Sequence, residues 1–233
     1  MKFADSKELC AYVRERHGST VLLAFSTGKD ALAALAQLRE TGFERIVPFY
    51  RYSIPGLEFV EESLRYYEEH VFRAPIYRVP HPGLARMLKN FVHQTPERCV
   101  DIERSEIVAY TYEQANATVR RRAGLAPDVF VAVGDRAADS PSRRFNVLVH
   151  GPINERNLRF APVFDWRADD VDAALVRHGF KLPVDYELFF RTFDGIDHRF
   201  LEPIKRRFPR DYAKILQWFP LADLDLWRRT WAA

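Results

Sequence analysis

Val21-Leu22-Leu23-Ala24-Phe25-Ser26-Thr27-Gly28-Lys29-Asp30-Ala31-Leu32-Ala33-Ala34-Leu35-Ala36-Gln37-Leu38 is the stretch whose pattern settles the fold. Its first five residues are an unbroken apolar run, as expected of a strand buried on both faces. Residues 26–30 are polar and contain the one flexible position. The alanines and leucines that follow are strong helix formers. A buried strand that passes through five polar residues straight into a helix is the opening of an α/β unit.

The same alternation recurs on either side. Asp5-Ser6-Lys7-Glu8 has the spacing of a capping box, and a helix is expected from there to about Arg16, closed by Gly18. Ile46–Tyr50 reads as a second strand, whose Pro48 points to a sheet edge or strand end. Helices are expected over Phe59–His70, Leu84–Phe91 and about Ile102 to Arg122. Strands are expected over Pro75–Val79 and Asp128–Val133. Strands separated by helices imply a mostly parallel sheet with right-handed crossovers. After Phe160-Ala161-Pro162-Val163 the strand signals stop, and the chain reads as helices from about Trp166. The expected organisation is an α/β core over 1–165, with an aromatic-rich helical extension over 166–233 packed on it.

The strand–loop–helix makes an anion site. The first N–H groups of a helix lack intrahelical partners, and the helix dipole places partial positive charge there. Gly28 lets the backbone approach a phosphate closely. Ser26 and Thr27 offer hydroxyls, Lys29 a mobile cation, and Asp30 a carboxylate that can hold Mg²⁺ or cap the helix. The spacing is not that of the Walker loop or of the Gly-x-Gly-x-x-Gly dinucleotide fingerprint. It resembles the PP-loop, Ser-Gly-Gly-Lys-Asp-Ser, of the ATP pyrophosphatases and the phosphoadenylyl-sulfate (PAPS) reductase family. Here the loop reads Ser26-Thr27-Gly28-Lys29-Asp30-Ala31, with Thr27 in place of the first Gly and Ala31 in place of the last Ser.

A second segment, Gly134-Asp135-Arg136-Ala137-Ala138-Asp139-Ser140-Pro141-Ser142-Arg143-Arg144, follows a late strand. Ligands bind at the carboxyl ends of strands in open α/β sheets, so Arg136, Arg143 and Arg144 are expected on the same edge as the Lys29 loop. The planar fork of arginine suits phosphate or sulfate. The segment is similar to the Gly-x-Arg-x-x-Glu-Ser-x-x-Arg stretch of PAPS reductases, with Asp139 in the acidic place. Pro162-Val163-Phe164-Asp165-Trp166-Arg167-Ala168-Asp169-Asp170-Val171 resembles the family's Pro-x-x-Asp-Trp-x-x-x-Asp-Val stretch and is read as structural.

The resemblance implies a three-layer, Rossmann-like fold of the adenine nucleotide alpha hydrolase type. It also implies a site for ATP or a related adenylyl nucleotide, built from Ser26, Thr27, Gly28, Lys29, Asp30, Gly134, Arg136, Ser140, Arg143 and Arg144. Lys29, Asp30 and Arg136 take the catalytic roles, and Asp30 is the candidate Mg²⁺ ligand. The implied reaction is nucleotidyl transfer to an unidentified acceptor with release of pyrophosphate. PAPS reductases attack the sulfonucleotide with a cysteine near the C-terminus, and this chain has none after Cys99. Sulfonucleotide reduction or sulfur transfer is therefore the alternative within the family. A nucleotide-binding accessory of nucleic-acid modification, without turnover of its own, is the alternative outside it.

Composition excludes other classes. Cys10 and Cys99 cannot make a disulfide framework or a four-thiolate zinc site, and neither an iron–sulfur cluster nor structural zinc is expected. A cytoplasmic setting fits. Net charge is only +3, so the basic clusters Arg120–Arg122, Arg143-Arg144, Lys205–Arg207 and Arg228-Arg229 permit a nucleic-acid partner without demanding one. No apolar stretch reaches membrane-spanning length, and the N-terminus has no signal-peptide pattern. Twelve aromatics fall between Phe180 and Trp231. Leu201, Ile204, Phe208, Tyr212, Ile215 and Phe219 recur at three- and four-residue steps, which marks helices facing a core rather than a base-stacking platform.

Overall fold

The computed structural model describes residues 3–231, so Met1, Lys2, Ala232 and Ala233 lie outside it, as do the side chains of residues 229–231. In chain order the elements are α1 (Ser6–His17), β1 (Thr20–Ala24), α2 (Lys29–Glu40), β2 (Arg45–Tyr52), α3 (Glu58–Tyr67), β3 (Tyr77–Pro80), α4 (Pro82–Lys89), α5 (Pro96–Arg104) and α6 (Tyr112–Arg122). They continue with β4 (Val131–Ala132), α7 (Pro141–His150), β5 (Ile153–Asn154), β6 (Arg159–Phe160) and α8 (Ala168–Arg177). The last four are α9 (Asp185–Phe189), α10 (His198–Arg207), α11 (Pro209–Trp218) and α12 (Asp223–Trp231). The α/β class and the helical run after the last strand are as expected.

The six strands lie in the order β3-β2-β1-β4-β6-β5. β1 pairs in parallel with β2 and with β4, and β4 pairs in parallel with β6. β5 runs antiparallel to β6. From β1 the chain moves outward one way through β2 and β3, and later returns on β1's other side with β4. The sheet therefore reverses its order between β1 and β4, the point at which open α/β sheets form a crevice at the carboxyl ends of their strands.

Local chemistry explains the central elements. Asp5 caps α1 by accepting from Lys7 N and Glu8 N, both at 2.9 Å, and Gly18 ends the helix at φ +91°. Val21, Leu22 and Leu23 are fully buried, as a strand inside a parallel sheet requires. All eight residues from Ala31 to Leu38 are buried. α2 packs on β1 and against α1 and α8, and its alanines allow that close approach.

The structure corrects three expectations. First, Pro48 is not on an edge strand, because β2 lies between β3 and β1. Phe49 O accepts from Phe25 N, towards β1, and Tyr52 O accepts from His81 N, towards β3. By strand alternation Pro48 directs its donor-less nitrogen towards the four-residue β3, the side where the ladder is short. Second, the helix expected from Ile102 to Arg122 is two helices. Thr111 and Gln114 cap α6 reciprocally, Thr111 N donating to Gln114 Oε1 at 2.8 Å and Gln114 N to Thr111 Oγ1 at 3.2 Å. Third, the strand expected over Asp128–Val133 forms ladder pairs only at Val131 and Ala132. In addition, residues 141–150, for which no element was expected, form α7. Ser140 Oγ accepts from Arg143 N at 3.2 Å, and Pro141 occupies the first helical position, a start signal present in the sequence.

By its contacts the chain forms two compact units. The first comprises Met1–Arg51, Glu68–Arg78 and Asn116–Leu182, and so includes α8. The second comprises Tyr52–Tyr67, Val79–Ala115 and Pro183–Ala233. The second unit has its own aromatic core. Phe59 lies 5.7 Å from Phe193 and 5.3 Å from Phe208 between ring centroids, and Phe200 lies 5.0 Å from Phe189. Leu201, Ile204, Tyr212, Ile215 and Phe219 are buried, so the helical stripe of the aromatic-rich tail does face a core. Among the described residues no helix is long and apolar enough to cross a membrane.

The two thiols differ in exposure. Cys10 is fully buried on α1, and burial pushes its thiol up to about 12. Cys99, in the first turn of α5, is partly exposed. Iodoacetamide at pH 8 is expected to label Cys99 alone in the folded protein, and Cys10 only on unfolding. Peptide mass mapping reads this directly, and early labelling of Cys10 would contradict it.

Candidate functional site

The loop after β1 and the segment after β4 both belong to the first unit, and both emerge at the crevice where the strand order reverses. Gly28 is the N-cap of α2 and brings no side-chain oxygen to the start of the helix, the end at which a helix favours an anion. Thr27 is buried and sits at φ +64°. This is the left-handed region, which costs a β-branched residue roughly 1–2 kcal/mol and costs glycine nothing. Thr27 therefore holds this bend at the expense of strain. Its Oγ1 donates to Ser26 O at 2.6 Å, so that hydroxyl is engaged within the loop. Ser26 is exposed.

Lys29 and Asp30 lie in the first turn of α2 and reach different neighbours. Lys29 Nζ lies 3.0 Å from Asp172 Oδ1 on α8. Asp30 Oδ1 lies 2.9 Å from Arg136 Nε, an ion pair whose N–H is not well aimed at the oxygen. Desolvation raises the Asp30 carboxyl above its ordinary range, with Arg136 pulling the other way. Arg136 Nη2 lies 2.7 Å from Asp139 Oδ1, and Arg143 Nη1 lies 2.5 Å from Asp139 Oδ2. Arg143 Nη2 lies 3.4 Å from Asp135, which also contacts Arg159 of β6. A chain of alternating charge thus runs Asp30, Arg136, Asp139, Arg143, Asp135, Arg159.

Gly134 is a packing position. A Cβ there would stand 2.7 Å from the backbone C and O of Asp30 and 2.9 Å from Ala31 N, so only glycine lets the post-β4 segment lie against the start of α2. That contact brings Arg136 to Asp30. Of the remaining expected residues, Ser140 spends its hydroxyl capping α7. Arg144 is exposed on α7, and among the described residues no ion pair joins it to the charge chain. Asp172, Asp135 and Arg159 were missed by sequence reading. Asp172 lies 143 positions from Lys29, and no local pattern marks such a pairing.

Asp170 Oδ2 accepts from Arg167 N at 2.7 Å and closes the start of α8, while Asp165 accepts from Ser6 N and Ser6 Oγ. Both are structural. Arg120 is buried and donates to Val129 O at 2.8 Å, and Lys205 and Arg207 face Asp223 and Glu187. No group of three or more His, Cys, Asp or Glu side chains able to hold a metal occurs among the described residues. Mg²⁺ usually takes one or two protein carboxylates and completes its shell with phosphate oxygens and water. One carboxylate, Asp30, is enough protein ligand for that mode of binding.

Fold and site together give an α/β protein whose sheet-switch crevice combines an uncapped helix N-terminus, a lysine and an arginine, an arrangement suited to a polyanion. No family model matches the chain, and no curated protein matches it. Among solved structures it is similar to the U34-tRNA thiolase NcsA from Methanococcus maripaludis with its 4Fe-4S cluster. Identity there is 15%, over 94% of this chain and 78% of that one, with a TM-score of 0.49. It is also similar to the NH3-dependent NAD synthetase from Campylobacter jejuni in complex with the nitrate ion. Identity there is 12%, over 95% of this chain and 92% of that one, with a TM-score of 0.45. Likeness of this degree assigns no chemistry to the site.

Proposed function

We propose that this chain is a PAPS reductase-like PP-loop enzyme that binds ATP or a related adenylyl nucleotide and transfers its nucleotidyl group to an acceptor, releasing pyrophosphate. The observation that carries this reading is the placement of Lys29 and Asp30 in the first turn of α2 with Arg136 held 2.9 Å from Asp30. An acceptor oxygen attacks the α-phosphorus, the bond to the α,β-bridging oxygen breaks, and pyrophosphate leaves with the electron pair. The protein's task is to stabilise that departing charge. The N–H groups of α2, Lys29 and Arg136 are placed for it, and preorganised donors of this kind are each worth about 3–4 kcal/mol. Lys29 exchanges Asp172 for phosphate oxygen when the nucleotide binds. Asp30 would hold Mg²⁺, which, when bound, neutralises phosphate charge.

Calorimetric titration of ATP, PAPS and adenylyl sulfate into the protein with Mg²⁺ tests the reading. ATP is expected to bind with micromolar affinity. Binding of none of the three would overturn it, and binding of PAPS in strong preference to ATP would move the reading to the sulfonucleotide alternative.

A further inference from the structure

α7 turns its apolar side outward. Arg143, Asn146, Val147 and His150 lie on its inner side, across a small cavity from Ile153 of β5 and Phe160 of β6. The helical period then sets Arg144, Phe145, Leu148 and Val149 on the opposite side. Phe145 is 61% exposed, Leu148 73% and Val149 56%, and no residue of α7 is buried. The three apolar side chains are spaced i, i+3, i+4, the stripe with which a helix ordinarily meets a core. Their outward surface amounts to roughly 300 Å², the size at which an exposed apolar patch on a monomer is often functional. A helix of 10 residues that buries none of them has little support of its own, since isolated helices shorter than about 12–15 residues are marginal in water.

We propose that this stripe is covered by the α7 of a second copy of the chain, packed antiparallel about a two-fold axis. Charge favours this occupant. The first turn of α7 carries Arg143 and Arg144 and no acid, at the end of a helix where a cation is disfavoured. Asp135 and Asp139 hold Arg143, whereas Arg144 makes no ion pair among the described residues. An antiparallel copy brings its own helix C-terminus, which is partially negative, to Arg144. A two-fold axis between residues 146 and 147 sets Phe145 against the other copy's Leu148, and Leu148 against the other copy's Phe145, as an isologous contact requires. A stable dimer buries about 800 Å² per subunit, more than this stripe and its flanks supply, so the pair is weak and forms at high concentration.

Sedimentation equilibrium of the full chain, from micromolar to millimolar concentration, is expected to show monomer passing into dimer within that range. Leu148→Glu and Phe145→Lys are each expected to raise the dissociation constant at least tenfold. Both side chains are largely exposed, so neither change should move the melting temperature of the monomer. An equimolar mixture of the two variants is expected to recover dimer, because the new carboxylate and the new ammonium then face each other while one Phe145–Leu148 contact is kept. That recovery is specific to an antiparallel α7 pair. Wild type that stays monomeric throughout, either variant dimerising like wild type, or no recovery on mixing overturns the proposal. A monomeric wild type that sediments with phosphatidylglycerol vesicles also overturns it and assigns the face to a lipid surface.

Discussion

Lys29→Ala is expected to lower nucleotide-dependent pyrophosphate release by about 10²–10³-fold, the scale seen when one preorganised donor to a developing anion is removed, and to leave the fold in place. The fold survives because the Lys29–Asp172 pair lies at the surface, its side chains 38% and 59% exposed. Such a surface pair contributes only about 0–1 kcal/mol. The catalytic loss follows from position. Lys29 lies in the first turn of a 12-residue helix whose N-cap, Gly28, brings no side chain to the N–H groups. Its ammonium adds a full charge where the backbone offers only partial ones. Asp172→Ala separates the two roles. Releasing Lys29 from its resting partner should leave nucleotide affinity equal or slightly tighter. If Lys29→Ala turns over like wild type while melting at the same temperature, the loop assignment is wrong.

Asp211→Leu is expected to destabilise the second unit by about 3 kcal/mol, the scale of a charged hydrogen-bond acceptor removed from buried donors. Asp211 is 1% exposed, yet it belongs to α11 and serves a different helix. Its Oδ1 accepts from Glu58 N at 2.7 Å and its Oδ2 from Phe59 N at 3.1 Å, which satisfies two first-turn donors of α3. Leucine fills the volume but removes the acceptor of both N–H groups, of which that of Phe59 is buried. For a chain of this length the melting temperature should fall by roughly 10 °C. Asp211→Asn keeps an acceptor and should lose less than half as much. A leucine variant melting within 2 °C of wild type would show that α3 does not depend on this cap.

Much of the sheet was legible because its central elements carry local signals. The apolar run Val21–Phe25 and the alanine-rich Ala31–Leu38 each declare their state without reference to partners. The fold departed from expectation where capping or pairing decided the outcome. The 102–122 region has helix-forming composition throughout, and only the reciprocal caps of Thr111 and Gln114 show where a second helix begins. β5 and β6 have two residues each and exist because Ile153 and Asn154 find Phe160 and Arg159. In the site, Lys29, Asp30 and Arg136 could be nominated from two short motifs. Thr27 shows why the loop bends without the motif's first glycine. Its φ of +64° is forced by the turn and cannot be read from a residue that seldom adopts it.

The sheet order has a consequence for synthesis. β1 acquires β2 within some twenty residues, but its other neighbour, β4, emerges about 110 residues later, when Leu22 meets Val131. At ~5–20 residues per second on the ribosome, the nascent chain spends several seconds with one edge of its most apolar strand unpaired. During that interval β1 can pair with any passing strand. Closing so long a loop is also among the slower kinds of contact formation. The crevice that gathers Lys29, Asp30 and Arg136 therefore forms late in biogenesis, and the chain stays without its site until most of it has been made.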